Sequence, residues 1–161
     1  MKKDNEKKLV YNFNEHGLYY KGCDVCEYDS LVLTMGTVQL EFGFGTGKFL
    51  GITGYIPLTK AEKGILDIPN CLLCDFSVSI DEAYYQCGMA YDYFDFFPEN
   101  EDHFMVDEYN PRLTYDDANR RLLFGPSGSD KYIRVSKNII CGLDSNDCLR
   151  NVLVTIDEVI M

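Results

Sequence analysis

Seven cysteines are the residues of this chain with the widest chemical reach. Four of them form two pairs at CxxC spacing, Cys23-Asp24-Val25-Cys26 and Cys71-Leu72-Leu73-Cys74. Four thiolates could hold zinc tetrahedrally. The 44 residues between Cys26 and Cys71 exceed the usual ribbon spacing, and neither pair carries the turn residues of a zinc knuckle. Cys74 also sits in an apolar, strand-like run, where thiols pack as small hydrophobes. The expectation is therefore reduced thiols, no cofactor and no zinc at Cys23, Cys26, Cys71 and Cys74. A thioredoxin-type role fits less well, because neither pair opens a helix after a strand of a βαβ unit.

Gly43-Phe44-Gly45-Thr46-Gly47-Lys48 has the look of a phosphate loop. A phosphate loop needs glycine where Phe42 stands and a hydroxyl where Phe49 stands, so a hairpin turn is the better reading. Near-neutral acid–base chemistry falls to His16 and His103. A cysteine nucleophile activated by one of them lacks any surrounding signature. The carboxylates Asp92, Asp95, Glu99, Glu101 and Asp102 could meet a divalent cation, but without EF-hand spacing an acidic solvated loop is the simpler account. A cysteine- or metal-dependent enzyme is thus the third reading of this sequence.

The charge is unevenly placed. The net charge is −11, and the stretch from Asp75 to Asp117 holds twelve acids against the single base Arg112. The rest of the chain balances. Such a field draws basic partners and repels nucleic acid and anionic membrane. The plain alternative is an acidic surface that keeps the protein in solution. The same stretch holds Tyr84, Tyr85, Tyr91, Tyr93, Phe94, Phe96 and Phe97.

The elements that must position these residues are mostly strands. A length of 161 residues suits one domain, and 46% apolar residues suffice for a core. Val38, Leu40, Phe42 and Phe44 alternate with Thr37, Gln39, Glu41 and Gly43, the period of a half-buried strand. Gly45-Thr46-Gly47 reverses the chain into a strand from Phe49 to Ile56, ended by Pro57. Residues 59–66 read as a short helix, with Thr59 as N-cap. Residues 71–80 read as a strand, 81–97 fits neither period, and 98–110 is an acidic loop. Strands follow at 113–115, 121–124, 132–135 and 139–143, with one long final strand from Leu149 to Ile160. The hairpins Leu40–Ile56 and Ile139–Ile156 share an outline, Phe42-Gly43-Phe44 matching Cys141-Gly142-Leu143, which hints at two similar sub-sheets. The expected fold is mainly β, an antiparallel, hairpin-rich sheet or sandwich with at most two short helices. Residues 1–8 form a polar tail and 9–161 one β-rich domain.

The start Met1-Lys2-Lys3-Asp4 is charged and no apolar segment follows it, so the expected location is cytoplasmic. The run Gly47-Lys48-Phe49-Leu50-Gly51-Ile52-Thr53-Gly54-Tyr55-Ile56-Pro57, with the strand-rich C-terminal part and the acidic belt, resembles small bacterial immunity-type proteins. The resemblance implies a protein that neutralises a toxin domain by tight binding. It carries no site residues with it. The leading expectation is a non-enzymatic protein that docks a basic protein partner, and neither nucleic acid nor membrane. Its contacts would be Asp92, Tyr93, Asp95, Phe96, Glu99, Glu101 and Asp102, with aromatics as anchors and carboxylates for steering. The second reading is a structural β-domain of unknown ligand.

Overall fold

The computed structural model describes residues 8–22, 30–96, 104–107 and 110–161. The fold is mainly β: two seven-stranded mixed sheets, largely antiparallel, and one short helix. The first sheet has at its centre β1 (Lys8–Asn12), β2 (Gly17–Lys21), β3 (Ser30–Met35), β4 (Val38–Gly43) and β5 (Phe49–Tyr55). They lie side by side in the order β1-β2-β5-β4-β3. The expected alternation holds: Val38, Leu40 and Phe42 are buried, and Phe44 packs partly buried against the same core. β4 and β5 pair antiparallel, with Leu40 opposite Ile52.

The second half of the chain repeats this plan. After β6 (Glu62–Lys63), β7 (Leu72–Leu73), β8 (Ala90–Asp92) and the helix α1 (Tyr93–Phe96) come five more strands. These are β9 (Leu113–Asp116), β10 (Arg121–Phe124), β11 (Lys131–Ser136), β12 (Ile139–Leu143) and β13 (Leu149–Thr155), in the order β9-β10-β13-β12-β11. The match extends to single residues. Leu9, Tyr11 and Asn12 of β1 answer to Leu113, Tyr115 and Asp116 of β9. His16 and Arg120 close the two first turns with left-handed φ of 55° and 54°. Their carbonyls accept from Ile56 N–H (2.6 Å) and Ile156 N–H (2.8 Å). The pairing slips by one residue between Glu41 and Phe42, and again between Gly142 and Leu143. The resemblance of two hairpins in the sequence is therefore one part of a repeat that spans both sheets.

Short parallel strands cap all four sheet edges. β6 lies along β9 and β7 along β11, while β8 lies along β3 and β14 (Glu158–Ile160) along β1. Each is two or three residues long, which limits the exposed edge on offer to other chains. Two of these strands are exchanged between the halves. The chain leaves β5 of the first sheet to edge the second, and leaves β13 of the second to edge the first. The expected single strand Leu149–Ile160 is accordingly broken. Asp157 turns the chain, and its carboxylate accepts from Leu9 N–H (2.9 Å) and Asn138 Nδ2 (3.0 Å). At the other crossing the buried Tyr11 hydroxyl donates to the Ile56 carbonyl (2.5 Å).

Two more expectations need correction. Residues 59–66 hold a 3₁₀ turn (Leu58–Lys60) and then β6, because pairing with β9 overrides the helix propensity of Ala61, Glu62 and Lys63. Residues 71–80 contain only β7 and an isolated bridge between Ser77 and Lys48. Both sheets feed one apolar core. Leu33, Phe42 and Ile52 come from the first sheet, Leu122, Phe124 and Val154 from the second, and Phe76 and Phe104 from the connecting segment.

Candidate functional site

The acidic, aromatic segment closes the β3 edge of the first sheet. Asp81 begins a turn in which Tyr84 and Tyr85 N–H both donate to its carbonyl (3.0 and 2.9 Å), and its side chain accepts from Ala83 N–H (3.0 Å). The chain then joins the sheet edge, where Gly88 N–H donates to the Ser30 carbonyl (2.7 Å) and Val32 N–H to the Met89 carbonyl (3.1 Å). β8 follows, and Asp92 caps α1 by accepting from Phe94 N–H (2.8 Å).

This path gathers four rings. Tyr85 stacks on Phe96 with centroids 4.4 Å apart, and meets Tyr84 at 4.6 Å and Tyr91 at 4.8 Å edge to face. The Tyr91 hydroxyl accepts from Gln86 N–H (3.0 Å), tying the turn to the strand. Tyr84 is 69% exposed and Met89 50% exposed, so apolar surface stands open beside the cluster. Asp81, Asp92 and Asp95 are exposed. Among the described residues no lysine or arginine forms a salt bridge with any of the three. The Tyr85 hydroxyl is pushed above its ordinary pKa, first by burial, then by Tyr84 and by the carboxylates of Asp95 and Asp81. The cluster therefore sits in a negative field.

The structure brings Asp92, Asp95 and Phe96 together here. Tyr93 is a correction: its side chain is fully buried, edge to face with Phe94 (5.4 Å) and Phe104 (6.1 Å), so it belongs to the core and cannot touch a partner. Glu99, Glu101 and Asp102 lie outside the described residues, as do His103, Cys23 and Cys26. Sequence reasoning did not select Asp81, Tyr84, Tyr85 or Tyr91 as contacts. The acidic-aromatic run Asp81-Glu82-Ala83-Tyr84-Tyr85 was the signal for them.

The other chemical candidates take structural places. Cys71 packs inward against Leu123, Ile140 and Leu153, while Cys74 is exposed with its thiol near the Asp75 carbonyl (3.4 Å). Among the described residues no group of three or more His, Cys, Asp or Glu side chains is placed to hold a metal ion. Burial raises the Cys141 thiol far above its ordinary pKa, which leaves it inert. His16 sits in the first turn with its ring edge to face on Tyr55 (5.9 Å). The glycine-rich run is the β4–β5 turn, with Gly47 at φ 71° and its N–H donating to the Gly43 carbonyl (2.7 Å). A Cβ at Gly47 would stand 2.0 Å from the Val78 carbonyl oxygen, so the linker is pressed against this turn. A shallow groove lies between Tyr55, Pro57, Val106, Pro111 and Leu113. Among the described residues no helix is long and apolar enough to cross a membrane. No known family model matches the chain, and no curated protein resembles it at a significant level.

Proposed function

We propose that this chain is a non-enzymatic binding protein that docks a basic protein partner on the face formed by Asp81–Phe96. The observation that carries the reading is the ring cluster of Tyr84, Tyr85, Tyr91 and Phe96, bordered by the carboxylates of Asp81, Asp92 and Asp95, which have no basic partner among the described residues. A core needs aromatics, but it does not need unpaired carboxylates around their exposed edge. Partner lysines or arginines would pair with the carboxylates, and apolar side chains would cover Tyr84 and Met89. The resemblance to immunity-type proteins makes a basic toxin domain the partner class to try first.

The test is kinetic binding to the protein that co-purifies with the full chain. Association should slow as the Debye length falls from about 30 Å at 0.01 M salt to about 8 Å at physiological salt. The triple charge reversal Asp81→Lys, Asp92→Lys, Asp95→Lys should lower the low-salt on-rate by on the order of tenfold or more. Tyr84→Ala should instead raise the off-rate. An acidic partner, or binding unchanged by both sets of substitutions, would refute the proposal.

A further inference from the structure

Away from that face, residues 62–73 cross the outer side of the second sheet as an extended strap. One end is β6 on the β9 edge and the other is β7 on the β11 edge. The sheet order places six interstrand steps between them, about 29 Å at ~4.8 Å per step. The nine residue-to-residue steps from Lys63 to Leu72 reach about 30 Å when extended at ~3.3 Å each. By these lengths the strap must run close to fully extended. Leu66 and Cys71 are its inward side chains, covering Leu123, Ile140 and Leu153. At Leu66 the backbone is gripped on both sides: its N–H donates to Asp116 Oδ2 (2.8 Å), and its carbonyl accepts from Arg121 Nη1 (2.6 Å).

Cys71 and Cys74 flank β7. Across an extended segment, residues three apart have Cα atoms about 10 Å apart and side chains on opposite faces. A disulfide needs Cα atoms within about 6.8 Å. The two thiols therefore cannot join while Leu72 and Leu73 stay paired with Ile133 and Arg134. We propose that Cys71 and Cys74 form a redox-operated release for the strap: as thiols they leave it docked, and as a disulfide they pull β7 off β11.

Closing the ring bends a strap that runs close to fully extended. It breaks the β7 pairing and the bond from Cys74 N–H to the Arg134 carbonyl (3.2 Å). Cys71 is withdrawn from its place, and the apolar patch of Leu123, Ile140 and Leu153 is uncovered. The oxidant is a small-molecule disulfide such as oxidised glutathione. The exposed Cys74, as thiolate, attacks one of its sulfurs, forming a mixed disulfide and releasing one thiol. Cys71, once it has also given up its proton, attacks the Cys74 sulfur and releases the second thiol. Two protein thiols become one disulfide, and the small disulfide becomes two thiols. By linkage, docking disfavours the disulfide as much as the disulfide disfavours docking.

The full chain is equilibrated in glutathione buffers of graded ratio, its disulfides are mapped by mass spectrometry, and hydrogen exchange is read in parallel. Exchange protection over 71–75 and 131–136 should fall in step with the Cys71–Cys74 disulfide, while 38–43 stays protected. Cys71→Ser should keep its protection in the same oxidising buffers. Asp116→Asn, which loosens the grip on Leu66, should reach half oxidation at a glutathione ratio on the order of tenfold less oxidising. A disulfide that forms while both segments stay protected overturns the proposal. So does a Cys71–Cys74 disulfide that appears only on global unfolding, or an unchanged midpoint in Asp116→Asn.

Discussion

Tyr11 and Tyr115 hold equivalent places on the first central strands of the two sheets, yet removing their hydroxyls should have unequal effects. The Tyr11 hydroxyl lies in the core and donates to the Ile56 carbonyl. Tyr11→Phe takes this partner from the Ile56 carbonyl where the chain crosses between sheets. An unsatisfied buried group costs about 1–3 kcal/mol, so the loss should be about 2 kcal/mol. In a chain of this length that lowers Tm by roughly 4–8 °C. The Tyr115 hydroxyl donates to Asp117 Oδ1 (3.0 Å), and Asp117 is exposed. Its carboxylate turns to water when the hydroxyl goes, so Tyr115→Phe should cost about 0.5 kcal/mol. Urea unfolding at neutral pH, followed by circular dichroism, measures both, and the slope against urea should not change. Equal losses, or a Tyr11→Phe loss below about 0.5 kcal/mol, would refute the assignment of that hydroxyl as the tie at the crossing.

Alkali should act through the same pair of positions. Burial, then the Asp117 bond and charge, push the Tyr115 pKa up to about 12, so its folded-state value lies above the ordinary 10. The stability this gives is whole below pH 10 and is lost as pH rises from 10 to 12; in Tyr115→Phe, unfolding midpoints should fall less over that range. Acid should act on the strap. The Leu66 N–H and the Asn119 side chain hold Asp116 below its ordinary value, so its contribution is present above about pH 3.8 and is lost as pH falls through the lower folded value. Hydrogen exchange at Leu66 should accelerate there, and not in Asp116→Asn. Gly54→Ala should destabilise by on the order of 3 kcal/mol in the same urea assay, because φ is 138° and the new Cβ would lie 2.3 Å from the Thr37 carbonyl oxygen. Gly17→Ala, which meets nothing within 4 Å, should be near neutral.

The β class and most hairpins were legible because their signals are local. Alternation at Val38–Phe42 and turn residues at Asp117–Asn119 and Asp144–Asp147 need no distant partner. What was not legible depends on residues far along the chain. β1 does not alternate, because Leu9, Val10, Tyr11 and Asn12 are all buried. The helix expected at 59–66 yields to β9, and the long last strand yields to Leu9, some 150 residues away in sequence. At the candidate site the residue types were readable but their directions were not. Tyr93 and Phe96 look alike in sequence; one turns into the core against Phe104 and the other out onto Tyr85.

The exchange of edge strands has a consequence for synthesis. β1 leaves the ribosome long before its edge partner β14. At about 5–20 residues per second, the wait between them is on the order of 10–30 seconds. The linker likewise brings β6 out before β9, the strand it will edge. During that interval the β1 edge is bare and the first sheet lacks the tie between Leu9 and Asp157. Pairings this distant in sequence are slow to form. The nascent chain is thus open to wrong partners until β14 emerges, and the segment that ends the exposure is three residues long.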